Sequence, residues 1–258
     1  MAVAVCLSAS QADSRHTSNG DLLLAHVYDE QPYLCYIEAS AGAGWYAQNI
    51  LKNADLAALK DRSARNPSLV IPIFPTVYSP GDDSHFGPDA AYYNYILKES
   101  RIKKLDKVLV VGSGSGADSW VAWLKSRSRV FAIDINPLAV VNTRAAAQIG
   151  TFPIRAIQGD IGTADLPEDF SGFDEVLWNM PFLDDGDYAQ NLFHDHDNGD
   201  VLENFLARLP KLLKTDGEAI LLNTQEAVDR MHWPKREVLK VPGASTTNSA
   251  LYIIVLQR

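Results

Sequence analysis

Between residues 105 and 225, short apolar runs alternate with longer stretches in which apolar positions recur every three or four residues. Val108–Val111 is apolar throughout, and so is 130–133. A parallel strand covered on both faces loses its polar alternation, so these runs predict buried strands. Glycines at 112, 114 and 116 follow the first run. They permit a sharp turn and would point backbone N–H groups at a ligand. A helical stretch, Ala117–Ser126, comes next. The second run ends in Asp134 and leads to a helix over 137–148 with Pro137 at its first position. A third strand over 153–158 ends at Gly159-Asp160, and a fourth over 175–178 ends at Asn179. Asp200 with Glu203 reads as a capping box for a helix carrying Leu202, Phe205, Leu206, Leu209 and Leu212. Pro210 should bend or divide that helix. A fifth strand spans 218–222; 236–241 and 251–256 supply two more, the last antiparallel at the sheet edge. This alternation predicts a doubly wound α/β sheet whose ligand lies at the carboxyl ends of the strands.

The first 80 residues read as a small α+β region, and 81–258 as the ligand-binding domain. Residues 1–20 form a loose leader ending in the turn Asn19-Gly20. Strands over 22–28 and 33–38 are joined as a hairpin through Asp29-Glu30-Gln31-Pro32. Ala41-Gly42-Ala43-Gly44 reads as a flexible connector, and 45–62 as an amphipathic helix with Ile50, Leu51, Leu56 and Leu59 on its apolar side. The run 68–74, carrying Pro72 and followed by Pro75, suits an edge strand. A turn-rich loop over 78–88 is placed to cover a ligand and leads into a helix over 89–99. Pro88 suits its first helical position and Asp89 its first turn.

Composition sharpens this picture at a few points. The chain has 258 residues, 47% apolar and 21% charged, enough for one substantial domain with an appendage. It has no run of 18 apolar residues, so no membrane span is expected, and no Lys or Arg precedes the short apolar start that a secretory signal would need. Cys6 and Cys35 lack metal-ligand spacing and are expected as reduced thiols of a cytoplasmic protein. Net charge is −9, but it is unevenly placed. Residues 156–207 hold 13 acids and no Lys or Arg, while the remainder carries 19 acids against 23 bases. Nucleic-acid affinity rests on cations that neutralise phosphates, so this window disfavours a nucleic-acid partner.

Gly112, Gly114 and Ala117 fit G-x-G-x-x-G/A, and Asp134 lies 22 residues after Gly112. A nicotinamide dinucleotide site would show both features. S-adenosylmethionine also needs a carboxylate for its ribose, but brings no pyrophosphate. Further along stand Gly159-Asp160-Ile161 and Asn179-Met180-Pro181-Phe182. With these four motifs in order over about 78–223, the chain resembles the class I S-adenosylmethionine-dependent methyltransferases. Within them it looks like the nitrogen-methylating branch that carries N-P-P-Y/F, here N-M-P-F. The resemblance implies a Rossmann-like seven-stranded sheet with its last strand antiparallel.

It also implies residue roles. Gly112, Ser113, Gly114 and Gly116 would line the methionine and ribose of the cofactor. Asp134 would bind the ribose hydroxyls and Ile135 would pack on adenine. Asp160 would hold the adenine amino group, with Ile161 stacking on the ring. Asn179 and the Met180 carbonyl would accept substrate N–H groups, Pro181 would belong to the same turn, and Phe182 would stack on a planar substrate. Met180 departs from the usual proline. The expected substrate is a protein or small molecule bearing a nitrogen nucleophile. An rRNA or tRNA base, a nicotinamide-dependent oxidoreductase on the same fold, and a non-catalytic binding subunit are the alternatives. For a cationic amine, Asp184-Asp185-Gly186-Asp187 would be the nearby base. His194-Asp195-His196-Asp197 lacks a third distant ligand, so no metal is expected. Tyr92, Tyr93 and Tyr95 are expected to pack on a helix, and Trp178 to lie in the core.

Overall fold

Among the described residues, seven strands form the main sheet. They are β4 (Val108–Val111), β5 (Val130–Asp134), β6 (Ile154–Gln158), β7 (Phe173–Asn179), β8 (Leu213–Thr224), β9 (Lys235–Ser245) and β10 (Ala250–Gln257), numbered along the chain. Their order across the sheet is β6-β5-β4-β7-β8-β10-β9. The structure, a computed structural model, describes residues 33–40, 44–50, 66–74, 76–80, 86–180, 200–245 and 250–258. β4 pairs parallel with β5 and β7, β5 with β6, and β7 with β8. β10 runs antiparallel to both its neighbours, β8 and β9. The expected antiparallel last strand is present, but it lies inside the sheet. β9 takes the edge, where Pro242 leaves no ladder donor to satisfy. β10, with Leu251 and residues 253–256 buried, takes the covered place.

The helices follow the predicted alternation. They are α1 (Phe86–Asn94), α2 (Ala117–Ser126), α3 (Pro137–Gly150), α4 (Asp200–Leu212) and α5 (Gln225–Arg230). A π-helical turn, Tyr95–Glu99, continues α1. Pro210 does not divide α4, which runs unbroken to Leu212. Proline there costs the ladder one bond, to the carbonyl of Leu206, and the helix ends two residues later. α5 was not evident in the sequence.

Alternate side chains of each strand enter two cores. Val108, Val110, Leu177, Ile220 and Leu222 face one, with Tyr92, Trp120 and Val121. Leu109, Val111, Trp178, Leu221 and Ile254 face the other, with Leu202, Phe205 and Leu209 of α4. The tyrosines pack as expected. Tyr92 donates to Ile220 O and Tyr95 to Glu237, while Tyr93 donates to Asp118.

A second, three-stranded sheet joins the first core. It comprises β1 (Tyr33–Ser40), β2 (Gly44–Ile50) and β3 (Ser68–Ile73), with β1 central and both pairs antiparallel. Among the described residues β3 is an edge strand, as Pro72 suggested. Residues 45–50, expected as helix, are strand instead. Trp45 supplies the reason: its ring meets Tyr93 and Trp120 edge-on, at 5.1 and 6.0 Å, and side chains of that size favour a pleated surface. Residues 22–28, the helix expected over 51–62 and Cys6 lie outside the described residues. The hairpin expected between 22–28 and 33–38 is not how β1 is paired, because β2 and β3 occupy both its edges.

Candidate functional site

The glycine loop leaves β4 between the carboxyl ends of β5 and β7. Gly112, Gly114 and Gly116 have φ of +60°, +49° and +90°, which coils the loop back on β5. Gly112 donates to Ile133 O at 2.9 Å, Ser113 to the same carbonyl at 3.4 Å, and Gly116 to Ser113 O at 2.8 Å. Gly114 donates to Asp134 Oδ2 at 2.9 Å. These N–H groups are therefore held inside the chain and do not point at a ligand, contrary to expectation. The loop offers bare backbone instead. A Cβ on Gly114 would meet only the Gly112 carbonyl, at 3.8 Å, whereas one on Gly112 would press on the Trp178 indole at 3.2 Å.

Asp134 is buried at the end of β5, and Asn136 donates to its Oδ1 at 2.9 Å. Burial raises its carboxyl, opposed by the N–H groups of Gly114 and Asn136. Beside it Ile135 is 49% exposed, an apolar side chain open at the strand end. Ser113 turns inward, its Oγ accepting from Thr143 Oγ1 at 2.9 Å. Asp160 caps the turn after β6, accepting from Gly162 N at 2.7 Å and Thr163 Oγ1 at 2.8 Å. Ile161 is 4% exposed and packs in the core with the α4 side chains.

On the other side of the loop stands Asn179, the last residue of β7, paired with Leu222 of β8. Met180 follows, buried, its N–H donating to Leu222 O at 3.3 Å. Pro181 and Phe182 lie outside the described residues, as do the acidic loop 184–187 and the His-Asp repeat 194–197.

Asp89, Tyr78, Asp118 and Thr76, to which the sequence assigned no part in a site, converge here. Asn179 Nδ2 donates to Asp89 Oδ1 at 2.8 Å, across 90 residues of sequence. Tyr78, 42% exposed, donates its hydroxyl to Asp89 Oδ2 at 2.8 Å. Asp118 in the first turn of α2 accepts from Tyr93 at 2.9 Å. Burial first, and then the charge of Asp89, push the Asp118 carboxyl up to about 7. Asn136 Nδ2 reaches Thr76 O and Oγ1, both at 3.2 Å, which ties the segment after β3 to the Asp134 side of the loop. One signal for Asp118 was legible: an acid set among Ala117, Trp120 and Val121, on the side of α2 that is buried.

The chain matches no protein-family model. It is 28% identical over 160 residues to a protein of Methanocaldococcus jannaschii provisionally named a protein N5-glutamine methyltransferase, covering 59% of this chain and 74% of that one. Among solved structures, a Pyrococcus horikoshii protein superposes with a TM-score of 0.55 at 15% identity, over 72% of this chain and 96% of its own. A tRNA m1G37 methyltransferase of M. jannaschii is a looser likeness, with a TM-score of 0.49, 14% identity, and coverage of 73% and 54%. The fold is the Rossmann-like, seven-stranded sheet with one antiparallel strand that the resemblance implied.

Proposed function

We propose that this chain is an S-adenosylmethionine-dependent methyltransferase that methylates an amide or amine nitrogen of a protein or small molecule. The observation that carries this reading is the placement of Asn179. Its side-chain amide stands at the carboxyl end of β7, beside the strand that leads into the glycine loop. The provisional name of the archaeal relative supports nitrogen as the acceptor and a protein as its bearer. The loop favours a nucleoside without phosphates, because four of its N–H groups are already bonded within the chain. A dinucleotide would need such donors for its pyrophosphate.

The residues fit that cofactor. Gly114 leaves open space, Asp134 presents a carboxylate, and Ile135 offers an exposed apolar face. Ser113 and Ile161 would contribute through backbone and support, since their side chains are buried. Asp160 would reach the adenine amino group with lone pairs left over from its turn. Bound S-adenosylmethionine would supply an electrophilic methyl on a sulfonium. Asn179 Oδ1 and the Met180 carbonyl would accept the substrate N–H groups and aim the nitrogen lone pair along the displacement line. They would also stabilise the positive charge that develops on nitrogen. Alignment of this kind can supply roughly 7–11 kcal/mol. Pro181 and Phe182 would complete the acceptor side.

The test begins with thermal unfolding. S-adenosylhomocysteine at a hundred times its Kd should stabilise by about 2.7 kcal/mol, roughly 5–10 °C for a chain of this size, and NAD should not. A shift with NAD alone would overturn the proposal. Asn179→Ala should keep the S-adenosylhomocysteine shift and lose transfer of labelled methyl to glutamine-bearing peptides; full transfer would refute the role given to Asn179.

A further inference from the structure

Asn179 can serve as an acceptor only if its amide is turned the right way. The two ends of a carboxamide have the same shape and opposite hydrogen-bonding character, so a neighbour must choose between them. Here the neighbour is Asp89. Both its oxygens accept, Oδ1 from Asn179 Nδ2 and Oδ2 from the Tyr78 hydroxyl, each at 2.8 Å. A carboxylate offers no proton, so Asn179 must present its NH2 to Asp89. Its Oδ1 then faces away from Asp89.

We propose that Asp89 is the positioning residue that locks the Asn179 amide with Oδ1 toward the methyl acceptor, restricting the site to N–H donors. The inference rests on the methyltransferase reading and adds the residue that sets acceptor polarity. Three further features support it. Asp89 is buried, so its charge acts through a low-dielectric path and strengthens Asn179 as an acceptor. It sits in the first turn of α1, where the helix dipole favours a negative charge. Tyr78 grips its second oxygen, which leaves the carboxylate little freedom to rotate.

The test needs no knowledge of the natural substrate. Sinefungin carries an amine where S-adenosylmethionine carries its transferable methyl, so that ammonium would donate to Asn179 Oδ1. By calorimetry on the full chain, sinefungin should bind more tightly than S-adenosylhomocysteine. Asp89→Asn lets the Asn179 amide flip, because an amide at 89 can donate to Oδ1. It should leave S-adenosylhomocysteine affinity within twofold and weaken sinefungin at least tenfold. A residue that merely supported the fold would lower both together. Equal losses, or an unchanged preference, would overturn the inference. Binding of neither ligand to the wild-type chain would instead overturn the underlying methyltransferase reading. Because Asp89 is buried, a second measurement leaves Asp89 unchanged. The Asn179 side-chain amide, identified by its disappearance in Asn179→Ala, should show one proton shifted downfield and slow to exchange. An unshifted, fast-exchanging pair would refute the lock even if Asp89→Asn does not fold.

Discussion

Single side chains carry most of what was hidden in the sequence. Asn179 and Asp134 stood out because each closes an apolar run, which puts a polar group at the carboxyl end of a buried strand, whereas Asp160 stood out as the acid in the turn after the third strand. Asp89 and Tyr78 gave no such signal, since their importance comes from partners up to 90 residues away. Glu175 is a comparable case at the opposite end of the sheet. It begins as an ordinary-looking acid in an apolar run, yet it is buried and its Oε2 has no hydrogen-bond partner among the described residues. Burial, followed by the nearby Glu218, pushes its carboxyl up to about 9, while Arg236 opposes the shift. Glu218 holds the cations itself, with Arg236 Nε at 2.8 Å and Arg101 Nη1 at 3.0 Å. A raised folded-state value means that the folded chain keeps a proton the unfolded chain has released. Its contribution to stability is therefore full below the ordinary value of about 4.5 and is lost as pH climbs toward 9. Glu175→Gln cannot release that proton. In urea titrations from pH 5 to 8.5, the wild-type chain should lose stability relative to Glu175→Gln, with a slope no steeper than about 1.4 kcal/mol per pH unit. Parallel pH profiles would show that Glu175 is ionised in the fold.

At the level of elements, agreement was closest where local chemistry brackets the segment. Strand β4 and helix α2 fall on their predicted bounds, because glycines end one and begin the other. The failures are non-local. β2 takes its conformation from Trp45 packing on Tyr93 and Trp120, and the order β8-β10-β9 depends on which strand has the more apolar faces. Gly116 shows how tightly the junction between loop and helix is built. Its φ is +90°, and a Cβ there would meet Ala146 Cβ and Thr143 Cα, both at 3.0 Å. Neither neighbour can swing aside, since one is a methyl on α3 and the other is backbone. Gly116→Ala should therefore destabilise by about 2–4 kcal/mol, combining backbone strain with overpacking. Gly87 in α1 is the contrasting case: a Cβ there would meet nothing within 4 Å, and its φ is not positive. Gly87→Ala should be neutral or stabilise by up to about 1 kcal/mol. Chemical denaturation of the two variants checks the contrast; equal effects would mean that α2 and α3 can separate without cost.

On the scale of the whole molecule, the question is whether residues 1–80 are an appendage. The sequence suggests a boundary there, because the apolar alternation becomes regular only after it. The packing argues for dependence. Ile37, Leu69, Ile71 and Ile73 of the small sheet are buried in the same core as Val108, Val110 and Trp120. Each such side chain is worth roughly 1.5–3 kcal/mol when fully buried, so these four account for roughly 6–12 kcal/mol as an upper estimate. That is comparable to the whole stability of a typical domain, about 5–15 kcal/mol. The same segment reaches the candidate site: Thr76 accepts from Asn136, and Tyr78 donates to Asp89. We therefore expect a chain of residues 81–258 to lack a cooperative urea transition and near-ultraviolet dichroism. A cooperative transition with a midpoint close to that of the full chain would establish 81–258 as an independent unit. Even then, the truncated chain should bind S-adenosylhomocysteine and prefer sinefungin less strongly than the full chain does, because Asp89 would have lost the Tyr78 hydroxyl that steadies it.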